Sequence, residues 1–553
     1  MTDVSPVRLV PLGGLGEIGM NCLVIEHGED RIVIDCGLTF DDRGLGIDVT
    51  HADFGWLAAH PERLRAIVLT HGHEDHVGAV PYLLEVCRAP IFGPKYALGV
   101  LRERLDQHPI GEEDHEIHAI APGDKIEIGP FEVEPYRVTH SMPDCTGLIV
   151  RTPQGVVVHS GDFKIDEAPI DGETFDFDRL ARLREEEGVR LLLSDSTNAI
   201  VEGSTGPEAS VADALEEIIG RAEHRVVVTL FASNVHRVRS LASIARATGR
   251  KLCLLGRSLG MHSRIGIETG YLEDLGDVAV APELLRALPR NQVLVLATGT
   301  QGEPPAAFAR LAKDEHPDLA LERGDLVIHS ARVIPGCETS VFPLINMLER
   351  RGIEVLWRAT HPAIHVSGHA HRGEQRRLLE TLRPRAFIPV HGTFLHLRAH
   401  AELAAEVGVE ERLIVENGTV VELDADSVRT SGHVSTGRIH RARGRTLDER
   451  VLKDRQLLAE HGIAVVSVAV DARGRPIAPL DLITRGLISE DDHEELLDEA
   501  CDYVHDALTN TRWVHERPEE DELEAAACRA LKRYFHRTIG RKPLCYATVL
   551  RVD

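Results

Sequence analysis

The sequence predicts an α/β protein of several domains, and three observations support this prediction. Short apolar runs typical of buried strands alternate with helix-like stretches along most of the chain. The chain has 553 residues, of which 43% are hydrophobic, enough for about three domains with their own cores. Several apolar runs end in a turn that carries a histidine or an aspartate. The last observation predicts a site built at the ends of strands.

The most informative run is His71-Gly-His73-Glu-Asp75-His76, which directly follows the strand-like segment 66–70. Three imidazoles and a carboxylate form the ligand set of catalytic zinc and its first-row relatives. At a strand end, residues i and i+2 point to the same side, so His71 and His73 can bind one ion. Asp75 and His76, at the start of the next helix, then reach a second ion. The density of ligands disfavours the alternative, ordinary surface or core histidines.

Further ligands are predicted where later strand-like runs end. His140 follows an extended segment, Asp162 follows the apolar run 156–158, and His391 follows Pro389 and Val390. Each residue taken alone could be an ordinary polar side chain. The repeated arrangement of a strand followed by a turn with one histidine or aspartate makes the three residues candidate ligands.

The order of these motifs resembles that of the metallo-β-lactamase superfamily. The resemblance implies seven ligands: a first metal held by His71, His73 and His140, a second metal held by Asp75, His76 and His391, and Asp162 as the bridge. His and Asp ligands take Zn²⁺ by affinity, with Mn²⁺ or Mg²⁺ as alternatives for turnover.

Four later segments look like the successive motifs of the β-CASP nucleases: 191–198, 231–237, 365–369 and 389–392. Together with segments 11–21 and 35–37, they make the chain similar to the ribonuclease J family from end to end. The resemblance implies a metallo-β-lactamase αββα sandwich core, an inserted β-CASP α/β domain and a small C-terminal α/β domain.

The resemblance also implies roles for individual residues. Asp195 is expected to orient a metal-ligating histidine, and Asp75 is both ligand and catalytic residue. His369 is expected beside the scissile phosphate as proton donor to the departing 3′ oxygen. His391 at the last motif favours RNA over DNA. The implied activity is metal-assisted hydrolysis of RNA, 5′-to-3′ exonucleolytic and endonucleolytic, in RNA maturation and decay.

Two segments are predicted to bind an anion, and the resemblance implies that they hold substrate phosphates, including a 5′-monophosphate. The turn at 231–235 comes between a buried strand run and a basic helix, so free backbone N–H groups and a hydroxyl face one point. The segment 365–369, followed by a helix-like stretch to 382, offers a similar arrangement. The alternative for the first segment is an ordinary helix cap. The candidate residues are Ser233, Asn234, Val235, His365, Val366, Ser367, Gly368 and His369.

The glycine-rich segment 13–19 superficially resembles a dinucleotide-binding fingerprint. The residues that follow, 20–25, are typical of another strand, and no helix begins there. We therefore expect a hairpin whose glycines allow the backbone to pass close beneath the metal site.

Charge and cysteine usage limit the function classes. A net charge of −26 disfavours a generally basic nucleic-acid-binding surface, so RNA binding requires a local positive field from the metals and from clusters such as 236–239 and 438–445. The 438–445 cluster is equally consistent with a solvated linker. Nine scattered cysteines without CxxC pairs indicate reduced thiols and a cytoplasmic enzyme. No leader or membrane span is expected.

The motif positions predict the domain organisation. His369 and His391 lie beyond an insert of about 160 residues, so the core is expected to resume after it. The predicted parts are the core at 1–200 and 363–445, the insert at 201–362, a linker at 446–460 and the C-terminal domain at 461–553. By resemblance, that last domain is expected to mediate a homodimer or homotetramer.

The chain departs from the family pattern at Thr393, Arg332 and Cys337. These departures call into question how the chain binds substrate near the metals. Rival hypotheses are a DNA-directed nuclease, a small-molecule hydrolase of the same superfamily, and a non-catalytic RNA-binding scaffold. The insert and the paired phosphate segments disfavour the small-molecule enzyme. The complete ligand set disfavours the scaffold.

Overall fold

The structure is a computed structural model that describes residues 5–40, 44–110, 115–334, 336–488, 493–511, 513 and 517–552. The chain divides into two compact units. The first comprises Met1–Asp42 and Val49–Ile439, and the second comprises Arg43–Asp48 and His440–Asp553.

Two mixed sheets form the core of the first unit. The first sheet has, in spatial order, the strands Val428–His433, Thr419–Leu423, Val7–Gly13, Cys22–His27, Asp30–Ile34, Leu64–Val68, Ile91–Gly93 and Ile117–Ala119. The second has Ile126–Ile128, Phe131–Arg137, Thr146–Thr152, Gly155–His159, Leu191–Asp195, Ala386–Val390 and Glu411–Arg412. The short pairs Leu15–Gly16 with Gly392–Thr393 and Leu38–Thr39 with Val49–Ala52 lie outside these sheets.

The alternation of side chains along the strands explains the layered packing. Ile32 and Ile34 of one sheet share an apolar cluster with Leu191 and Leu193 of the other. The intervening residues, such as Leu192, point the opposite way into a second cluster with helix residues. Both sheets are therefore buried on two faces, and the predicted sandwich core is confirmed.

Helices cover the outer faces of the two sheets and connect their strands. In the core these helices are Gly55–Ala58, Glu74–Val77, Val80–Leu84, Lys95–Asp106, Phe177–Glu186, Arg372–Leu382 and Phe394–Val407. The helix Phe177–Glu186 begins at Asp176, whose side chain accepts a hydrogen bond from the Arg179 backbone N–H.

The insert contains a separate parallel sheet. Its strands, in spatial order, are Lys251–Leu255, Val293–Ala297, Val226–Thr229, Leu326–His329 and Glu354–Trp357. Four of them match the predicted runs, and the fifth was not predicted. The helices of the insert are Glu208–Arg221, Val235–Thr248, Arg257–Glu268, Ala307–Ala312 and Glu338–Arg350. In parallel sheets of this kind, loops at the carboxyl ends of the strands carry the binding residues.

The glycine-rich opening forms the predicted hairpin between Val7–Gly13 and Cys22–His27. A Cβ atom on Gly13 would lie 1.9 Å from the carbonyl oxygen of Met20, so only glycine fits. The Asn21 N–H donates a hydrogen bond to the Asp75 carbonyl, which connects this hairpin to the metal-ligand run.

The second unit contains a three-stranded sheet covered by helices on one face. Its strands are Asp481–Arg485, Ile463–Val470 and Leu544–Arg551, and the hairpin Arg438–Ala442 with Arg445–Leu447 precedes them. Its helices are Glu449–His461, His493–Asn510 and Glu520–Ile539. Most of the segment predicted as a linker, 446–460, is thus helical. Within the parts of the chain that the structure describes, no helix has the length and apolar character needed to cross a bilayer.

Candidate metal centre

Strand ends bring the predicted metal ligands to one edge of the core. His71 follows the strand Leu64–Val68, and the helix Glu74–Val77 presents Asp75 and His76 from its first turn. Asp162 and His391 follow the strands Gly155–His159 and Ala386–Val390, which lie on either side of Leu191–Asp195 in the second sheet. Three overlapping groups of ligand atoms result: His71, His73, His140 and Asp162; Asp75, His76, Asp162 and His391; and Asp162, Asp195, His369 and His391.

The first group consists of three imidazoles and one shared carboxylate. Nδ1 of His73 lies 3.1 Å from Nε2 of both His71 and His140. Nε2 of His71 lies 3.8 Å from Oδ2 of Asp162. Burial lowers the pKa of His71 and His140 well below the ordinary value, and that of His73 to about 4. Neutral imidazoles are the form that binds metal ions.

The second group is richer in carboxylates. Nε2 of His76 lies 3.1 Å from Oδ2 of Asp162, and Nδ1 of His391 lies 2.9 Å from its Oδ1. Oδ2 of Asp75 lies 3.4 Å from Nε2 of His391. Burial would raise the pKa of Asp75 and Asp162, but the neighbouring histidines lower the pKa of both carboxyls. Buried carboxylates in such numbers require a compensating cation.

The raised pKa values of two histidines also reflect the negative charge of these carboxylates. Although burial lowers the pKa of a histidine, Asp162 raises the pKa of His76 well above its ordinary value and that of His391 to about 10. Nε2 of His391 is buried and has no hydrogen-bond partner. An orphaned imidazole nitrogen beside two carboxylates fits a divalent cation, which would take the place of the protons. The residues present therefore suit metal binding.

Contacts behind the ligands fix the orientation of three imidazole rings. Nδ1 of His76 lies 2.8 Å from Oδ2 of Asp35, Nδ1 of His71 lies 3.0 Å from the Thr70 hydroxyl, and Nδ1 of His140 lies 2.6 Å from the Gly368 carbonyl. These contacts leave Nε2 of each ring facing the centre. Such supporting groups set the tautomer and the basicity of a metal ligand.

Asp35 was not predicted as a site residue. It is almost fully buried, has a left-handed backbone with φ of 58°, and also accepts hydrogen bonds from the Thr70 N–H and hydroxyl at 2.8 Å. The available sequence signal was an acidic residue directly after the apolar strand Asp30–Ile34. The same pattern, an aspartate after an apolar run, predicted Asp162.

Replacing Asp35 by alanine is expected to weaken binding of the ion at His76 by about 10–100-fold, because the ring loses its orienting carboxylate. Equilibrium dialysis against a metal buffer measures this affinity. Asp53→Ala, which alters an exposed turn contact to the Gly55 N–H, is the matched control. Unchanged metal affinity in Asp35→Ala would contradict the supporting role.

Asp195 and His369 form a pair at the edge of the centre. Nδ1 of His369 lies 2.9 Å from Oδ2 of Asp195, whereas Nδ1 of His391 lies 3.7 Å from its Oδ1. Asp195 therefore contacts His369 more closely than it contacts a predicted metal ligand. Thr197 donates hydrogen bonds to Oδ1 of Asp195 from its backbone and hydroxyl, at 2.9 and 2.6 Å. The carboxylate is thus held in place to orient His369.

The first predicted phosphate segment contributes one side chain to the centre. Oγ of Ser233 lies 3.2 Å from Nε2 of His73. Asn234 caps the helix Val235–Thr248, accepting a hydrogen bond from the Arg237 N–H at 3.0 Å. Val235 is fully buried, and its N–H donates to the Ser233 carbonyl at 2.9 Å. Asn234 and Val235 therefore shape the turn, and Ser233 faces the centre.

The second segment lies against the first metal group. The Ser367 hydroxyl accepts a hydrogen bond from Nδ2 of Asn198 at 2.9 Å, and Val366 packs at the edge of the core. A Cβ atom on Gly368 would lie 2.8 Å from Cε1 of His140, so the position requires glycine. Nδ1 of His365 lies 3.3 Å from Nη1 of Arg237.

The basic run at 236–239 does not form the surface cluster that the sequence suggested. Arg237 is buried and makes a bidentate ion pair with Glu208 at 2.7 and 2.8 Å. It also donates to the Ser330 carbonyl at 2.7 Å. His236 is buried, 3.8 Å from Asp171. The charge of Arg237 is therefore neutralised inside the fold, and within the run only Arg239 is partly accessible.

The residues that depart from the family pattern lie around the centre without replacing a ligand. The Thr393 hydroxyl lies 3.0 Å from Nδ1 of His396. Cys337 precedes the helix Glu338–Arg350. Arg332 donates a hydrogen bond to Oδ1 of Asn198 at 3.2 Å.

Comparison with protein-family models matches nearly the whole chain. The Metallo-beta-lactamase superfamily model matches residues 15–192, and the Ribonuclease J, beta-CASP domain model matches 223–348. The Zn-dependent metallo-hydrolase RNA specificity domain model matches 353–414, and the Ribonuclease J C-terminal domain model matches 450–552. The fold and the site thus define a β-CASP metallo-hydrolase.

Curated relatives narrow the class. The chain is 39% identical to a protein named Ribonuclease J from Synechocystis sp. over 88% of this chain and 76% of the relative. It is 37% identical to Ribonuclease J from Thermus thermophilus over 98% of this chain and 95% of the relative. The chain belongs to the ribonuclease J family.

A solved structure of a protein of unknown function from Enterococcus faecalis V583 shares the fold. Its TM-score is 0.53 at 16% identity, and the alignment covers 76% of this chain and all of the other. At this identity, the likeness concerns the fold alone.

Proposed function

We propose that this protein is a metal-dependent ribonuclease that hydrolyses phosphodiester bonds in RNA, with 5′-to-3′ exonucleolytic and endonucleolytic activity. The observation that carries the proposal is the pair of ligand groups that share Asp162, with the Ser233 hydroxyl directly beside them. Membership of the ribonuclease J family supports RNA as the substrate.

Two divalent ions fit the ligand atoms. We assign His71, His73 and His140 to the first ion, Asp75, His76 and His391 to the second, and Asp162 to both. The His and Asp donors favour Zn²⁺ by affinity, with Mn²⁺ or Mg²⁺ as alternatives in turnover. Bound ions would supply an activated water and stabilise negative charge on the phosphoryl oxygens.

The remaining chemistry falls to side chains. His369, whose Nδ1 lies 2.9 Å from Asp195, would donate a proton to the 3′ oxygen as the P–O bond breaks. The products are a new 3′-hydroxyl and a 5′-monophosphate on the downstream fragment. Asp75 would serve as a metal ligand beside His391, with its Oδ2 3.4 Å from Nε2 of that ring.

The hydroxyls of Ser233 and Ser367 support a 5′-monophosphate site. Ser233 adjoins the ligand His73, and Gly368, next to Ser367, adjoins the ligand His140. A terminal phosphate held between the two loops would place the first internucleotide bond at the metals. Exonucleolytic cleavage from a monophosphorylated end follows from this placement.

The test is cleavage of one RNA labelled at its 3′ end and carrying a 5′-monophosphate or a 5′-triphosphate, with Zn²⁺, Mn²⁺ or Mg²⁺ added. Progressive loss from the monophosphate end is expected, together with some internal cuts. Asp75→Ala is the control for contaminating nucleases, and matched DNA tests the substrate class. Cleavage of DNA in preference to RNA, or no cleavage in any metal, would contradict the proposal.

We also propose that copies of the chain associate through the C-terminal sheet. Its uncovered face exposes Ile483, Tyr546 and Leu550, which are 50%, 53% and 61% accessible. Exposed apolar residues on one face are typical of an interface between subunits. Light scattering of the full chain and of Leu550→Asp distinguishes a dimer or tetramer from a monomer. The nine free cysteines support a location in the reducing cytoplasm.

A further inference from the structure

Arg332 and Arg358 are exposed arginines beside the loop 365–369, and acidic partners do not accompany them. Other arginines of the described chain are paired, for example Arg351 with Asp314 and Arg372 with Glu406. The described carboxylates form no ion pair with Arg332 or Arg358. The chain has a net charge of −26, so two neighbouring unpaired guanidinium groups give this place a local charge opposite to that of the whole chain.

Arg332 and Arg358 follow the carboxyl ends of two neighbouring strands, because His329 of Leu326–His329 lies opposite Trp357 of Glu354–Trp357. Partial burial of the guanidinium, and then the like charge of Arg358, lower the pKa of Arg332. Both arginines also contribute to the lowered pKa of His365, after burial and Arg237. The local field is therefore positive, and a neutral His365 adds no charge to it. A field of this sign attracts an anion.

A chain of contacts connects Arg332 to the metal centre. Nδ1 of the ligand His140 contacts the Gly368 carbonyl at 2.6 Å. Nδ2 of Asn198 donates to the Ser367 hydroxyl at 2.9 Å and to the His369 carbonyl at 3.0 Å. Nη1 of Arg332 donates to the other side of the Asn198 amide. Along this chain of contacts, Arg332 is therefore further from the ligand His140 than Ser367 is.

The backbone at Arg332 is also held in place. Its carbonyl accepts a hydrogen bond from Nε2 of Gln301 at 3.0 Å, and Oε1 of Gln301 accepts one from the Ile334 N–H at 2.7 Å. One guanidinium nitrogen is used by Asn198, so the other donors of the fork remain available to solvent. A guanidinium on a fixed backbone is suited to bidentate binding of a phosphate.

We infer that Arg332 and Arg358 form a second anion subsite, which binds a phosphate group one position upstream of the phosphate at Ser367. This inference rests on the proposed function of the metal centre. The phosphate has two sources: the β-phosphate of a 5′-triphosphate end, or the next phosphodiester of an RNA that is bound internally. Either source extends the substrate beyond the site for a terminal monophosphate.

The test uses short RNAs as competitors of the cleavage of a fluorescent 5′-monophosphorylated RNA by the metal-loaded full chain. The competitors carry a 5′-monophosphate, a 5′-triphosphate, or a 5′ extension of two nucleotides that ends in a hydroxyl. The inhibition constants are compared for the wild type, Arg332→Gln and Arg358→Gln. Arg350→Gln is the control, because Arg350 is exposed at the far end of the helix Glu338–Arg350.

Loss of one charged hydrogen-bond donor is expected to raise the inhibition constant of the triphosphate or the extended RNA about tenfold. The constant of the monophosphate competitor is expected to change less than twofold. For each variant, the slope of log inhibition constant against log salt concentration should fall by about 0.7, which is the value for one phosphate contact on a single strand. Arg332→Lys, which keeps the charge, should retain this slope.

The competitor that responds identifies the source of the phosphate: the triphosphate, the extended RNA, or both. The inference is wrong if neither constant rises, or if the monophosphate constant rises equally. A lowered kcat with unchanged inhibition constants in Arg332→Gln would show that Arg332 only supports Asn198. If the wild type cleaves no RNA, the proposed function is wrong. The subsite can then still be tested by fluorescence anisotropy, which measures the affinity of the wild type and the variants for the labelled triphosphate RNA.

Discussion

Asp162→Asn is expected to lower the rate of RNA cleavage by on the order of a thousandfold or more, because both metal groups lose their shared carboxylate. The substitution keeps the volume of the side chain and removes its charge. His76 and His391, which contact the two carboxylate oxygens at 3.1 and 2.9 Å, lose their common partner. Elemental analysis of the purified protein should show fewer than the two ions that we assign to each wild-type chain.

Asp277→Asn is the matched control for this variant. Asp277 forms an exposed ion pair with Arg246 at 2.8 Å on the insert, and surface pairs of this kind contribute little to stability. Its metal content and cleavage rate should equal those of the wild type. If Asp162→Asn retained two ions and full activity, the assignment of a bridging carboxylate would be wrong.

His369→Gln is expected to lower kcat for RNA by about 10²–10⁴-fold, the usual contribution of a general acid. The 3′ oxygen of RNA is a poor leaving group without a proton. An activated ester such as bis(p-nitrophenyl) phosphate needs no such proton, so its hydrolysis should change far less. His361→Gln, at an exposed histidine that contacts Thr360, is the control. Equal losses on both substrates would instead indicate a role in metal or substrate binding.

The pH profile provides a second measure of the His369–Asp195 pair. Burial would lower the pKa of His369, but Asp195 and Asp162 raise it above its ordinary value of 6.5. The ring therefore stays protonated to higher pH, and kcat/KM for RNA should fall as pH rises through the raised pKa. Asp195→Asn should move this alkaline limb to lower pH. If the alkaline limb were unchanged in Asp195→Asn, His369 would not be the proton donor.

Much of the fold could be predicted because its strands are strongly apolar. The runs that form Val226–Thr229 and Val293–Ala297 are apolar over nearly their whole length, as expected for parallel strands buried on both faces. The strand Glu354–Trp357 was missed because its apolar run has only three residues, from Val355 to Trp357. A run of three apolar residues is too short to predict a strand by itself.

The site was predictable to the extent that its residues share a local pattern. The run from His71 to His76 carries its spacing in six residues, and the strand-then-turn pattern led to Asp162 and His391. Asp35 follows the same pattern, but a single aspartate after a strand does not reveal which ring it contacts. The neutralisation of Arg237 by Glu208 depends on tertiary contact between two helices, which no local pattern encodes.

The position of His391 in the chain bears on how the protein is made. Six of the seven assigned ligands precede the insert, and His391 follows it. During synthesis, the second metal group stays incomplete until the whole insert and residue 391 have left the ribosome. A nascent chain that has folded only its first part therefore lacks a complete hydrolytic centre. The order of the ligands thereby delays completion of the metal centre until most of the chain has been synthesised.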